Sequence, residues 1–170
     1  MLKQNIMWLV ASIMAGSSLL VSADETADMV GTLGDKEYAW FVLRQGDDSN
    51  ASFMEVGDQV HIEVTGFTDP VEWDAQEALM MRLTLEQGEL VEASVLQLIG
   101  ETAMPPLYTS EGGDISVVLS YIEREGRLLH VAGQVEGQLA LQHTLDSPPV
   151  ADEGVALSVR FDITAQKVAF

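Results

Sequence analysis

The side chains that could do chemistry in this sequence are few and scattered. His61, His130 and His143 are the only groups with an ordinary pKa near neutrality, and each falls on or beside the polar face of an alternating run. His61 and Glu63 stand two apart, so on a strand both point the same way, as metal ligands do, yet no third ligand accompanies them at a fixed spacing. Asp47 with Asp48, and Asp69 with Glu72 and Asp74, offer carboxylate oxygens to calcium. Neither group has the alternating Asp, Asn and Gly loop closed by a bidentate Glu. With 27 Asp and Glu in 170 residues, such clusters arise without selection, and a solvated surface is the plain reading.

Catalytic constellations are missing. The chain has no Gly-x-Ser-x-Gly turn, no His-Glu-x-x-His and no Gly-x-x-x-x-Gly-Lys. With no cysteine, it has no thiol nucleophile, thiolate zinc site or iron–sulfur cluster. The sequence therefore points to a protein that is not an enzyme and calls for no cofactor. The candidates that remain for ligand binding are aromatic. Tyr38 and Trp40 share one face of the run Glu37 to Leu43, whose other face carries Ala39, Phe41 and Leu43, so the run reads as a central, doubly covered strand or one lining a cavity. Trp73 lies in the polar connection from Thr68 to Gln76.

The elements that must position these residues repeat with period two. Val60, Ile62 and Val64 alternate with His61, Glu63 and Thr65, and Met81, Leu83 and Leu85 with Arg82, Thr84 and Glu86. Ile115, Val117, Leu119 and Tyr121 form a third apolar face, and Leu129, Val131, Val135, Leu139 and Leu141 a fourth. Val155, Leu157, Val159, Phe161 and Ile163 form the fifth. Gly34-Asp35, Gln87-Gly88 and Glu125-Gly126 are spaced as hairpin turns. Gly133 and Gly137 interrupt the long run from Arg127 to Gln142 and predict bulges or a corner there. Asp69 and Pro70 suit the start of a helical turn over 71–78.

These patterns predict one all-β domain over residues 24–170: an antiparallel β-sandwich or flattened β-barrel of about eight to ten strands, rich in meander connections. The expected core includes Tyr38, Trp40, Val60, Ile62, Val64, Leu83, Val117, Leu119, Val131, Val159 and Phe161.

Residues 1–23 read as a cleaved secretory signal peptide. Lys3 precedes a short apolar run, Val21-Ser22-Ala23 supplies a cleavage site, and Asp24 and Glu25 follow where a membrane anchor would carry positive charge. Removing the leader takes away one cation and leaves 7 basic against 27 acidic side chains, a formal charge of −20. So acidic a surface repels phosphate backbones and anionic headgroups, which excludes nucleic acid as a partner, and it suits salty surroundings. The expectation is a periplasmic or secreted bacterial binding or interaction module, with a protein or small-molecule ligand of the cell envelope. It should make no stable membrane insertion once the signal is cleaved. A barrel carrying an apolar small molecule is the first alternative. An outer-membrane barrel, suggested by terminal Phe170, is the second, although counting back by twos from Phe170 meets Gln166, Thr164 and Asp162 on what would be the lipid face.

Overall fold

The computed structural model describes residues 26–46 and 48–168, so the expected signal peptide of residues 1–23, Asp47 and Phe170 lie outside the described residues. The strands are β1 (Met29–Leu33), β2 (Lys36–Trp40), β3 (Arg44–Gln45), β4 (Asp48–Ser49), β5 (Ala51–Val56), β6 (Gln59–Gly66), β7 (Leu79–Glu86), β8 (Glu89–Leu98), β9 (Leu107–Glu125), β10 (Leu128–Gln142) and β11 (Val150–Lys167). Among the described residues there is no helix. The main sheet has nine strands in the order β10-β9-β8-β7-β6-β5-β11-β1-β2, and β10 also pairs with β11, so the sheet closes on itself. Its pairings are antiparallel except where Gln166 and Lys167 of β11 meet Ser52 and Phe53 of β5. One edge of β11 runs along β10, while the other is shared by β1, opposite Leu157 to Phe161, and by β5. The fold is the expected all-β meander.

Alternation places the core. Along β6, Ile62 and Val64 are buried while Glu63 is exposed, and opposite them on β7 Leu83 and Met81 are buried while Arg82 is exposed. Trp40, Phe53, Ile62, Leu83, Val131, Val135, Leu139, Phe161 and Ile163 fill the interior of the sheet. Each contributes about 1.5–3 kcal/mol by leaving water. A second cluster of Leu43, Phe67, Ala78, Leu98 and Leu107 closes one end. The three expected hairpins form, the last turning at Gly126-Arg127 rather than Glu125-Gly126, and Gly57-Asp58 makes a fourth between β5 and β6. Gln87 and Gly88 sit at φ +54° and +85°, the left-handed pair that a two-residue turn needs to match strand twist.

Several expectations are corrected. Strand β5 was not foreseen, because Met54 puts an apolar side chain on the face opposite Ala51 and Phe53 and blurs the contrast of its faces. β2 is not a central, doubly covered strand. It pairs with β1 on one side and meets the other side only through the bridge from Phe41 to Phe67, with Glu37 and Ala39 exposed. No helix forms over 71–78, although Asp69 Oδ1 does accept the amides of Val71 (2.7 Å) and Glu72 (2.8 Å) as a cap would. Tyr38, Val60, Val117 and Leu119 pack against the core but stay half-buried.

Tyr121 does not continue the face of Leu119. Ala132 pairs with Tyr121 and Gly133 with Leu119, so Ser120 is an extra residue and the alternation of β9 changes phase there. Tyr121 turns outward, while Ile122 and Arg124 come into line with the buried Val131 and Leu129 across from them. A larger bulge sits upstream, where β9 residues 110–113 stand against Leu139 alone. The glycines of β10 make both possible. A Cβ on Gly133 would lie 2.4 Å from Val118 O, and one on Gly137, at φ +143°, would lie 2.0 Å from Asp114 O.

Candidate functional site

Tyr38 and Trp40 alternate on the inner face of β2 and stack with ring centroids 4.9 Å apart and planes within 7°. Trp40 is fully buried. Glu77, held at φ +59°, ties this ladder to the loop before β7. Its carbonyl accepts Trp40 Nε1 at 2.9 Å, and its Oε1 accepts Tyr38 Oη at 2.9 Å and Lys36 Nζ at 2.7 Å. The lysine lowers the Glu77 pKa, the carboxylate raises that of Lys36, and burial raises that of Tyr38. Every polar atom of the ladder is thereby matched to another part of the chain. The geometry fastens the 67–78 loop over the sheet, with Trp40 sealed in the core and the partly buried Tyr38 ring stacked on Trp40 and met by Lys36 Nζ at 4.5 Å.

Trp73 is placed differently. It is half-exposed, lies against Phe67 at 6.3 Å between centroids, and forms a wall of a surface cleft of about 680 Å³ with Val71, Phe41 and Arg44. Asp28 spans the floor, accepting the Val42 amide at 2.7 Å and Arg44 Nη2 at 3.0 Å.

The acidic and histidine candidates do not converge. His61 Nδ1 meets Thr84 Oγ1 at 3.2 Å, and Glu63 pairs with Arg82 at 3.0 Å, so the two turn to separate partners on β7. Asp69 is occupied by the amides of its own loop, Glu72 first and then Val71, which lower its pKa. Asp74 Oδ1 accepts the Gln76 amide at 2.9 Å. Asp48 pairs through its backbone with Gln45. Among the described residues no three His, Asp or Glu side chains gather as a metal-holding group.

The feature that sequence reasoning missed is a seam in the wall. Strands β8 and β9 pair only through Leu96–Leu98 against Leu107–Thr109. Just beyond, the Val95 amide donates to Ser110 Oγ at 2.9 Å, and then the strands part. From Asp114 onward β9 is paired on one side only, with β10, and β8 from Glu89 to Ser94 only with β7. The side chains pointing inward along the seam are Leu90 and Ala93 of β8 and Ile115, Val117 and Leu119 of β9, all only partly buried against the core. Val91, Val118 and Tyr121, exposed by 53%, 65% and 49%, stand along its outer rim. Between its two bulges β9 runs regularly from Asp114 to Leu119, about 20 Å at 3.3 Å per residue. The stretch carries no proline and no lysine, and a bulge bounds it at each end.

Neither the protein-family models nor the curated proteins nor the solved structures contain a match to this chain.

Proposed function

We propose that this chain is an exported, non-catalytic interaction module that takes an extended segment of another protein onto the free edge of β9. The observation that carries this reading is the regular, unpaired edge Asp114–Leu119 lying over half-buried apolar side chains. An added strand would satisfy the open amides and carbonyls and cover Val117 and Leu119 in one step. Export rests on the leader pattern of residues 1–23. The absence of catalysis accords with the candidate acids and histidines being used in cross-strand pairs and loop caps.

Two features favour this reading over a barrel that carries a ligand or crosses a membrane. The interior is filled by large side chains, Trp40, Phe53 and Leu139 among them, where a carrier would hold its cargo. The outward faces carry Glu63, Arg82, Glu136, Arg160 and Asp162, whereas a lipid-facing wall needs an apolar belt.

Because the chain lacks cysteine, a single introduced thiol reports position cleanly. A peptide of alternating Thr and Val with one terminal Cys should form a disulfide with Ser116→Cys on the seam. It should form little with Asp162→Cys, an exposed site on the doubly paired β11. Equal yields at the two positions would contradict strand addition.

A further inference from the structure

We infer that the segment received by the seam is cationic on its outward positions and apolar on its inward ones, an inference that rests on the strand-addition reading. The inward requirement follows from Leu90, Ala93, Ile115, Val117 and Leu119, which pack against the core only partly buried on the stretches of β8 and β9 that do not pair with each other. A guest strand between β8 and β9 would set every second side chain against them.

The outward requirement follows from charge. Glu89 and Glu92 on β8, and Asp114 and Glu123 on β9, are exposed along the two rims. The cation nearest on β9, Arg124, is carried inward by the Ser120 bulge and engaged by Glu55, which also holds Lys167. Arg82 is likewise bound to Glu63, Lys36 to Glu77 and Arg44 to Asp28. Among the described residues no ion pair joins a cation to the carboxylates of Glu89, Glu92, Asp114 or Glu123, and lysine or arginine on a guest strand would sit across from them.

This chain cannot supply that guest itself. Its 8 Lys and Arg include no two residues separated by two, the spacing that one outward strand face requires. Two copies would also meet with a formal charge of −19 each. The occupant is a different, basic protein segment of about six residues in extended form.

Three peptides of equal length test this by titration at low salt: alternating Lys-Val, alternating Thr-Val, and a Lys-Val peptide of scrambled order. Alternating Lys-Val should bind about tenfold more tightly than Thr-Val, with the gap closing near 1 M sodium chloride, and the scrambled peptide should bind worse than either. Neutralising the rim with Glu92→Gln, Asp114→Asn and Glu123→Gln should remove the Lys-Val advantage. Neutralising exposed acids of the β1–β2 and β5–β6 hairpins, several strands away, with Asp35→Asn, Glu37→Gln and Asp58→Asn should keep it. Equal affinity for Lys-Val and Thr-Val would overturn the cationic guest while leaving strand addition in place. Failure of both alternating peptides to bind at millimolar concentration would overturn the two together. Scrambled peptide binding as well as alternating would reduce the effect to unspecific attraction and overturn the inference. Concentration-dependent self-association in sedimentation that is lost on Val118→Lys would make a second copy the occupant, and would overturn it too.

Discussion

Arg124 and Glu55, 69 residues apart in the sequence, form an ion pair across the open end of the sheet, with the guanidinium 5.5 Å from the centre of the Phe53 ring beneath. The pair exists because the Ser120 bulge changes the phase of β9 and swings Arg124 to the inner face. Lys167 at the end of β11 completes the group by donating to the other carboxylate oxygen. One backbone irregularity thus joins β5, β9 and β11 and also turns a cation away from the seam.

Acid should loosen this junction. Lys167 first, and Arg124 second, hold the Glu55 pKa below its ordinary value of 4.5. A carboxylate whose pKa is lower in the folded state stabilises above its ordinary pKa, and that contribution is lost as pH falls through the folded value. The melting temperature of the wild type should therefore exceed that of Glu55→Gln at pH 7, and the difference should shrink steadily below about pH 4.5. A difference that stayed constant down to pH 3, or widened, would contradict the pairing.

Truncation should distinguish the seam from the sealed interior. Leu139→Ala, at a fully buried site, should cost about 2–5 kcal/mol by denaturant unfolding. Leu119→Ala, at a half-buried one, should cost about half as much. Equal losses would mean that the gap beside Leu119 is closed in solution.

The glycines of β10 should not tolerate a methyl group. Gly137→Ala would place a Cβ against the Asp114 carbonyl at an unfavourable φ, so it should destabilise by more than about 2 kcal/mol. Gly88→Ala, with no atom within 4 Å of the added carbon, should cost only about 1 kcal/mol of turn strain. A tolerated Gly137→Ala would mean that β9 does not approach β10 so closely.

Salt should stabilise the protein. Raising sodium chloride from about 10 mM to 1 M shortens the screening length from about 30 to 3 Å and relieves repulsion among 27 acids, with most of the gain early. Because Asp69 is already bound by its own loop, calcium at matched ionic strength should raise the melting temperature no more than magnesium does. A further rise with calcium alone would identify a specific site among Asp47, Asp48, Asp69, Glu72 and Asp74.

What could be read from the sequence was whatever obeys a period of two. Ile62 against Glu63 and Leu83 against Arg82 placed their strands and faces directly, and the glycine turns placed three hairpins. The rephasing at Ser120 could not be read so, because Leu119, Tyr121 and Ile122 are all apolar and either phase fits them; Gly133 opposite was the one local signal. The seam was hidden for a different reason. A strand with a free edge has the same alternating side chains as one paired on both sides, and only the departure of β9 from β8 after Ser110 shows which it is. Of the aromatic candidates Trp73 is half-exposed, while Tyr38 and Trp40 turn inward as their place in the expected core implied; their polar partner Glu77, 37 and more residues away, could not be read from the sequence.

Amide hydrogen exchange along β9 tests strand addition most directly. In the free protein, amides between Asp114 and Leu119 that point away from β10 should exchange far faster than their neighbours bonded to it. Saturation with an alternating Thr-Val peptide should slow that fast set selectively and leave β1 and β2 unchanged. Uniform slow exchange along Asp114–Leu119 in the free protein, or a fast set that the bound peptide fails to protect, would contradict the account.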